Sequence, residues 1–273
     1  MGSGDSGCVS LGRKQHYNTV MGKDKLRKFK ENETFGCLVQ PRTEEVFRTD
    51  HPLKGHWGKK VFGNDHPIVV ELGCGKGEYT IDLALRNPVC NYIGVDIKGA
   101  RLWKGAKYAE EHSLPNVAFL RTRIEFITSL FAPGEVSEIC ITFADPQIHR
   151  EKKRLTSPLF MERYRSMLRE GGIVHLKTDS RYLHEYSAAM ARQNSLKVLA
   201  EATDIYGADR ERLYASDMLS VCGRDAVDAL FEVQTFYESQ YLAQGIPITY
   251  LAFVIDHAGP YLSPDWDEDR WER

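Results

Sequence analysis

Apolar residues recur along this chain in two alternating rhythms. Short apolar runs rich in β-branched and aromatic residues occupy 68–72, 91–96, 117–121, 138–143, 173–177 and 248–255. Between them lie stretches whose apolar positions fall three or four apart, at 77–86, 99–111, 124–131, 181–193 and 225–243. Runs of the first kind read as strands, and the second spacing puts apolar side chains on one helix face. The 99–111 helix turns Leu102, Trp103, Ala106 and Ala109 inward. The 225–243 helix turns Val227, Leu230, Val233, Phe236 and Tyr237 inward. Ser157 caps a further helix that Pro158 opens. It carries Leu159, Phe160, Tyr164, Met167 and Leu168, and stops at Gly171-Gly172. Strands alternating with helices predict an α/β fold, a doubly wound and mostly parallel sheet. Such sheets bind ligands outside the carboxyl ends of their strands.

The flanks differ from this middle. Residues 1–20 are Gly/Ser-rich and lack periodicity, so a disordered extension is expected, with a natural start at Met21-Gly22-Lys23. Residues 1–30 hold seven Lys/Arg against two acids. Such a run is most simply a solvated tail; the sharper reading is an arm that touches phosphates. Residues 21–66 are read as this basic arm plus a turn-rich lead-in anchored by Trp57 and Phe62. Residues 67–255 form the main domain. Residues 256–273 hold six acids, two arginines and two tryptophans, and predict a mobile acidic tail.

The first strand runs into Glu71-Leu72-Gly73-Cys74-Gly75-Lys76-Gly77. Glycines there let backbone approach a ligand, and the helix N-terminus behind them offers free N–H groups. A dinucleotide fingerprint needs its third glycine where this chain has Glu78. Glu71 would also set a carboxylate against a pyrophosphate. Both argue against a nucleotide-dependent oxidoreductase and for a ligand with hydroxyl or ammonium donors.

Net charge is only −2, so any nucleic-acid surface must be local. Six cysteines without a Cys-x-x-Cys pair suggest reduced thiols, with no disulfide frame and no metal site. No apolar run reaches membrane-span length, so no membrane partner is expected and the cytoplasm is the expected compartment. Four carboxylates fall at or just past strand ends: Glu71, Asp96, Asp145 and Asp179. One strand-end aspartate is often a helix cap; four converging on one crevice suggest a site. After Asp145 comes His149-Arg150-Glu151-Lys152-Lys153-Arg154, a basic loop placed to grip phosphates. Thr235 and Glu238, three apart, share a helix face.

The glycine motif closely resembles the first motif of S-adenosylmethionine-dependent methyltransferases. Together with Phe143-Ala144-Asp145-Pro146 and its basic loop, Lys177-Thr178-Asp179 and Thr235-Phe236-Tyr237-Glu238, the chain resembles the bacterial tRNA (guanine-N7)-methyltransferase family from about residue 21 to 255. The resemblance implies a Rossmann-like class I methyltransferase fold, S-adenosyl-L-methionine as cofactor and tRNA as partner. The target would be the guanine at position 46 of the variable loop. It implies cofactor contacts from Glu71, Gly73, Gly75, Gly77, Asp96, Arg123 and Asp145, with Asp145 as the active-site carboxylate. It gives the guanine to Asp179, Thr235 and Glu238, and tRNA backbone to His149, Lys152, Lys153 and Arg154. The chain departs from the family pattern at Ala144, Gln147 and His149. Arg123 stands where an acid or amide is usual beside the adenine, which leaves a main-chain contact at 123 or 124. A methyltransferase of the same fold acting on another RNA or a small molecule is the alternative; it would not need the basic loop or the Thr-x-Tyr-Glu stretch.

Overall fold

A computed structural model describes residues 24–267. The disorder expected of 1–20 and the start at Met21 lie outside the described residues. In chain order the elements are α1 (24–32), β1 (Leu38–Val39), α2 (Thr43–Val46), β2 (Ile68–Leu72), α3 (Glu78–Arg86), β3 (Asn91–Asp96), α4 (Gly99–Glu111), β4 (Val117–Arg121) and β5 (Val136–Thr142). There follow α5 (Pro158–Arg165), β6 (Leu168–Thr178), α6 (Arg181–Gln193), β7 (Val198–Ala202), α7 (Arg210–Tyr214), α8 (Asp217–Cys222), α9 (Arg224–Glu232), α10 (Phe236–Ala243) and β8 (Thr249–Val254).

The strands form one sheet in the order β1-β4-β3-β2-β5-β6-β8-β7. Every neighbouring pair from β1 to β6 is parallel, and β8 runs antiparallel to both β6 and β7. This bears out the doubly wound, mostly parallel sheet. Side chains alternate across it, as the period of two requires. Val70, Leu72, Ile93, Leu120, Ile139 and Ile141 face a core shared with α5, α6 and Trp57. Val69, Tyr92 and Phe119 face α3 and α4. The chain winds one way from β2 through β3 to β4 and the other way through β5 and β6. The crevice at that reversal lies beyond the carboxyl ends of β2, β3 and β5. Among the described residues no helix is long and apolar enough to cross a membrane.

Some of these expectations need correction. The helix opened by Pro158 ends at Arg165, and Leu168 already begins β6. Gly171, at φ 70°, and Gly172 sit instead in an irregular stretch of β6, where five residues of β6 span two of β5. The glycines serve that excursion rather than a helix stop. The long helix 225–243 is two helices, broken at 233–235. Phe236 and Tyr237, expected inside, are about half exposed, at 52% and 48%. Strand β7, with short α7 and α8, lies between the expected helices 181–193 and 225–243, where the hydrophobic pattern marked no element. The 256–267 segment, expected to be a mobile tail, docks on the domain: Tyr261 is buried, and Trp266 sets its edge against Tyr182 and Tyr186. Residues 268–273 lie outside the described residues.

Candidate active site

The glycine loop takes a shape that only glycine adopts freely. Gly73, Gly75 and Gly77 have φ of 79°, 58° and 74°. Their roles differ. A Cβ on Gly77 would stand 2.5 Å from the Phe119 ring, so Gly77 serves the packing of α3 against the sheet. A Cβ on Gly73 or Gly75 would meet no protein atom within 4 Å. These two line open space, the cradle expected of a ligand loop. Main-chain bonds hold the loop: Gly73 N and Cys74 N both donate to Val95 O, at 2.8 and 3.0 Å.

Glu71 and Asp96 then part company. Glu71 is buried and accepts from Thr80 N at 3.0 Å and from the hydroxyls of Thr80 and Thr142. Burial pushes its carboxyl up against those bonds, and the nearby Asp96 charge adds to the push. It ties β2 to α3 and β5 beneath the loop and does not line the crevice. Asp96 does line it. Its two oxygens accept from Gly75 N at 3.0 Å and Lys98 N at 2.7 Å. Each carboxylate oxygen has a second lone pair for a ligand hydroxyl. Next to it Ile97 stands 55% exposed on the crevice wall, an apolar surface that sequence reading missed. An isoleucine directly after a strand-end acid was the available signal. Arg123 lines the crevice, and its side chain reaches Glu125 at 3.3 Å.

Asp145 sits across this crevice, which holds about 590 Å³, from Asp96. Its loop is strained. Phe143, Gln147 and His149 all have left-handed φ, at 50°, 50° and 59°, where side chains are disfavoured. Such clusters persist only where the surroundings over-determine them. Gln147 N donates to Asp145 Oδ1 at 3.0 Å, and Phe143 N to Lys177 O at 2.9 Å. Arg154 supplies the main brace. It is fully buried, donates to the carbonyls of Pro146 and Gln147 at 3.0 and 3.1 Å and to the Tyr182 hydroxyl, and lies 4.0 Å over the Tyr186 ring. Arg154 was expected to grip phosphate; its burial rules that out, and its place is inside the loop. His149, Arg150, Lys152 and Lys153 are exposed, and Lys153 reaches the crevice.

The remaining wall is aromatic. Phe143 stacks on Tyr241 at 6.0 Å between ring centres, and Tyr237 lines the same wall. Asp179 is half-buried, bonded to Tyr241, and does not itself line the crevice. Burial pushes its carboxyl up, and hydrogen bonds from its own main chain and from the Tyr241 hydroxyl pull it down. Thr235 and Glu238 do not share an open helix face. They form a capping box at the start of α10, Thr235 Oγ1 accepting from Glu238 N at 3.2 Å. Glu238 is fully buried and paired with Lys177 at 2.7 Å. Neither lines the crevice.

Comparison with known proteins agrees with this geometry. A protein-family model described as "Putative methyltransferase" matches residues 65–215. The tRNA (guanine-N(7)-)-methyltransferase of Christiangramia forsetii is 51% identical over 235 residues, 85% of this chain and 98% of that protein. The protein of the same name from Bacteroides thetaiotaomicron is 43% identical over 245 residues, 90% and 91% of the two chains. Among solved structures, the 16S rRNA methyltransferase KamB superposes with a TM-score of 0.52 at 15% identity, covering 72% of this chain and 92% of that one; the likeness is one of fold.

Proposed function

The chain belongs to the tRNA (guanine-N7)-methyltransferase family, and we propose that it methylates N7 of a variable-loop guanine in tRNA with S-adenosylmethionine as donor. The observation that carries this reading is Asp145, exposed on a strained and braced loop that shares one crevice with the glycine cradle. A tRNA substrate makes the cytoplasm its expected place of work.

The residues fit the cofactor. Gly73 and Gly75 leave room that a Cβ would fill, Asp96 keeps lone pairs for ribose hydroxyls, and Ile97 offers an apolar face to a purine. Bound S-adenosylmethionine supplies an electrophilic methyl group on a sulfonium. Guanine N7 presents a lone pair and carries no proton, so the site needs no general base. What the side chains must do is orient the base and offset the positive charge that grows on it. Alignment alone is worth up to roughly 7–11 kcal/mol in the best cases, and a fixed charge aimed at the transition state contributes about 3 kcal/mol more. Asp145 carries that charge. Phe143, Tyr237 and Tyr241 offer faces for a base drawn out of its stack. Asp179 accepts from the guanine N1–H and exocyclic amine. His149, Arg150, Lys152 and Lys153 meet the phosphates.

The test is mass spectrometry of nucleosides from unmodified tRNA incubated with the protein and labelled cofactor. Labelled 7-methylguanosine from the variable loop is expected. Label on another atom or another nucleoside overturns the substrate assignment.

A further inference from the structure

The least expected feature near the site is a lysine. Lys177, inside β6, is 1% exposed, and its partner Glu238 is 0% exposed. All three ammonium protons have acceptors: Glu238 Oε1 at 2.7 Å, Leu230 O at 2.7 Å and Val233 O at 3.2 Å. The Tyr79 ring lies 5.7 Å away on a further side. Leu230 and Val233 are at the end of α9, where carbonyls lack helical partners. Lys177 therefore caps α9 with its charge while holding a carboxylate of the next helix.

Glu238 holds three protein donors in turn. Its Oε1 accepts from Lys177 and from the Tyr206 hydroxyl at 2.8 Å, and its Oε2 from Thr235 N at 3.4 Å. Phe236 N, at the first turn of α10, donates to Glu78 at 2.9 Å. The start of α10 is thus pinned from three sides: by its own capping box, by Glu78 of α3, and by Lys177 of β6. Tyr237 and Tyr241 reach the crevice wall because α10 starts at this place and at this angle.

We propose that Lys177 and Glu238 form a buried latch that sets the break between α9 and α10, and that Glu238 serves methylation as a positioning residue without touching the guanine. The inference rests on the guanine reading of the crevice. A buried ion pair is seldom retained for stability, since well-packed apolar residues do as well, but it fixes one arrangement against others. Here the arrangement fixed is that of two aromatic side chains relative to Asp145. A guanine donor would have to reach a carboxylate that is 0% exposed and does not line the crevice. Asp179 is only half-buried and touches the wall through its hydrogen bond from the Tyr241 hydroxyl.

A thermodynamic cycle between protein and substrate separates the two roles. Single-turnover rates at saturating cofactor and tRNA are measured for Glu238→Ala, Lys177→Met and the double variant. Two tRNAs are used, one with guanine and one with inosine, which lacks the exocyclic amine, at the target position. As a latch, each single variant lowers the rate about 100-fold, the cost of misplacing reacting groups by about 1 Å. The double variant is no worse than either single, and each effect is the same on both tRNAs. Cofactor affinity stays within about threefold, because the glycine loop is untouched, which a general loss of structure would not spare. Asp179→Asn provides the contrast: its effect shrinks on the inosine tRNA. A Glu238→Ala effect that shrinks on inosine, or single-variant losses that multiply in the double variant, overturns the latch. If the alanine variant does not fold, Glu238→Gln, which keeps the side chain's volume and removes the charge that pairs with Lys177, carries the same cycle. Failure of the wild-type protein to methylate either tRNA overturns the guanine reading instead. The latch is then still read from the melting temperatures of the same variants, which fall together and without additivity if the pair acts as one unit.

Discussion

Asp145 stands at the crevice because its neighbours accept unfavourable backbone. Three left-handed residues in its loop would relax if Arg154 did not hold the carbonyls of Pro146 and Gln147. Asp145→Asn keeps the shape and removes the charge. Cofactor and tRNA affinities should change little, while the single-turnover rate falls by about 100–1000-fold, the loss typical of a group aimed at the transition state. Wild-type rates in Asp145→Asn would reduce Asp145 to a turn-forming residue. Glu71 makes a different prediction. Burial raises its folded-state pKa above the ordinary 4.5. A carboxyl shifted upward favours folding below its unfolded pKa, and that contribution is lost as pH rises through the folded value. Glu71→Gln should therefore gain stability relative to wild type between about pH 4.5 and neutrality, seen as a growing difference in urea midpoints. A constant difference would mean that the carboxyl is not shifted. That Glu71, Asp96 and Asp145 stand at or just past strand ends was legible in the sequence because strand ends are local features; that Glu71 lies beneath the loop, bonded to Thr80 and Thr142, was not. The burial of Arg154 and Glu238 was not, because it depends on Tyr182 and Tyr186 for one, and on Lys177 and Tyr206 for the other. In each case a charged residue in a polar stretch reads as exposed until its distant partners are known.

At the scale of elements, the break between α9 and α10 had a readable signal. Thr235-Phe236-Tyr237-Glu238 is a capping box, and such a box marks a helix start even where the apolar spacing runs on. The continuous periodicity of 225–243 hid it. The Gly171-Gly172 pair misled for the opposite reason: glycine marks a needed backbone shape without saying whether a helix or a strand needs it. The basic loop must now be divided. Arg150, Lys152 and Lys153 are exposed, and Arg154 is structural. Replacing the first three with alanine should make the slope of log affinity for tRNA against log salt shallower by about 2, because fewer counterions are released. Arg154→Met should leave that slope unchanged while lowering the single-turnover rate and the melting temperature. A slope that moves only in Arg154→Met would reverse the division.

Across the whole molecule, the sheet order gives the crevice two sides, one for each ligand of the proposed reaction. The strands β2 and β3 on one side of the reversal end in the glycine loop and Asp96; β5 and β6 on the other end in the Asp145 loop and Asp179. The alternation of strands and helices made this division legible, since topology follows from the order of elements and handed crossovers. The run at 248–255 was legible as a strand, β8, though not its antiparallel direction; the sequence left out what closes the structure around it: edge strand β1 on β4, strand β7, and the docked segment around Tyr261 and Trp266. These are short or apolar-poor pieces whose order comes from the surface they meet. The two sides should fail separately. Gly75 borders open space, so Gly75→Val puts a branched side chain into the cradle without meeting protein. Its φ of 58° also opposes a β-branched residue, so the loop would shift and release Asp96 from Gly75 N. Heat of binding for S-adenosylmethionine should vanish in calorimetry, while tRNA affinity stays within about threefold, since the phosphates are met across the crevice. The alanine variant of Arg150, Lys152 and Lys153 should do the reverse. Buried Phe119, Gly77 and Gly105, which seat α3 and α4 on the sheet, are untouched by either change, so both variants should melt cooperatively. Loss of both ligands in Gly75→Val, with its melting transition intact, would mean that tRNA reaches the crevice only over a bound cofactor, and the two sides would then be steps of one ordered pathway.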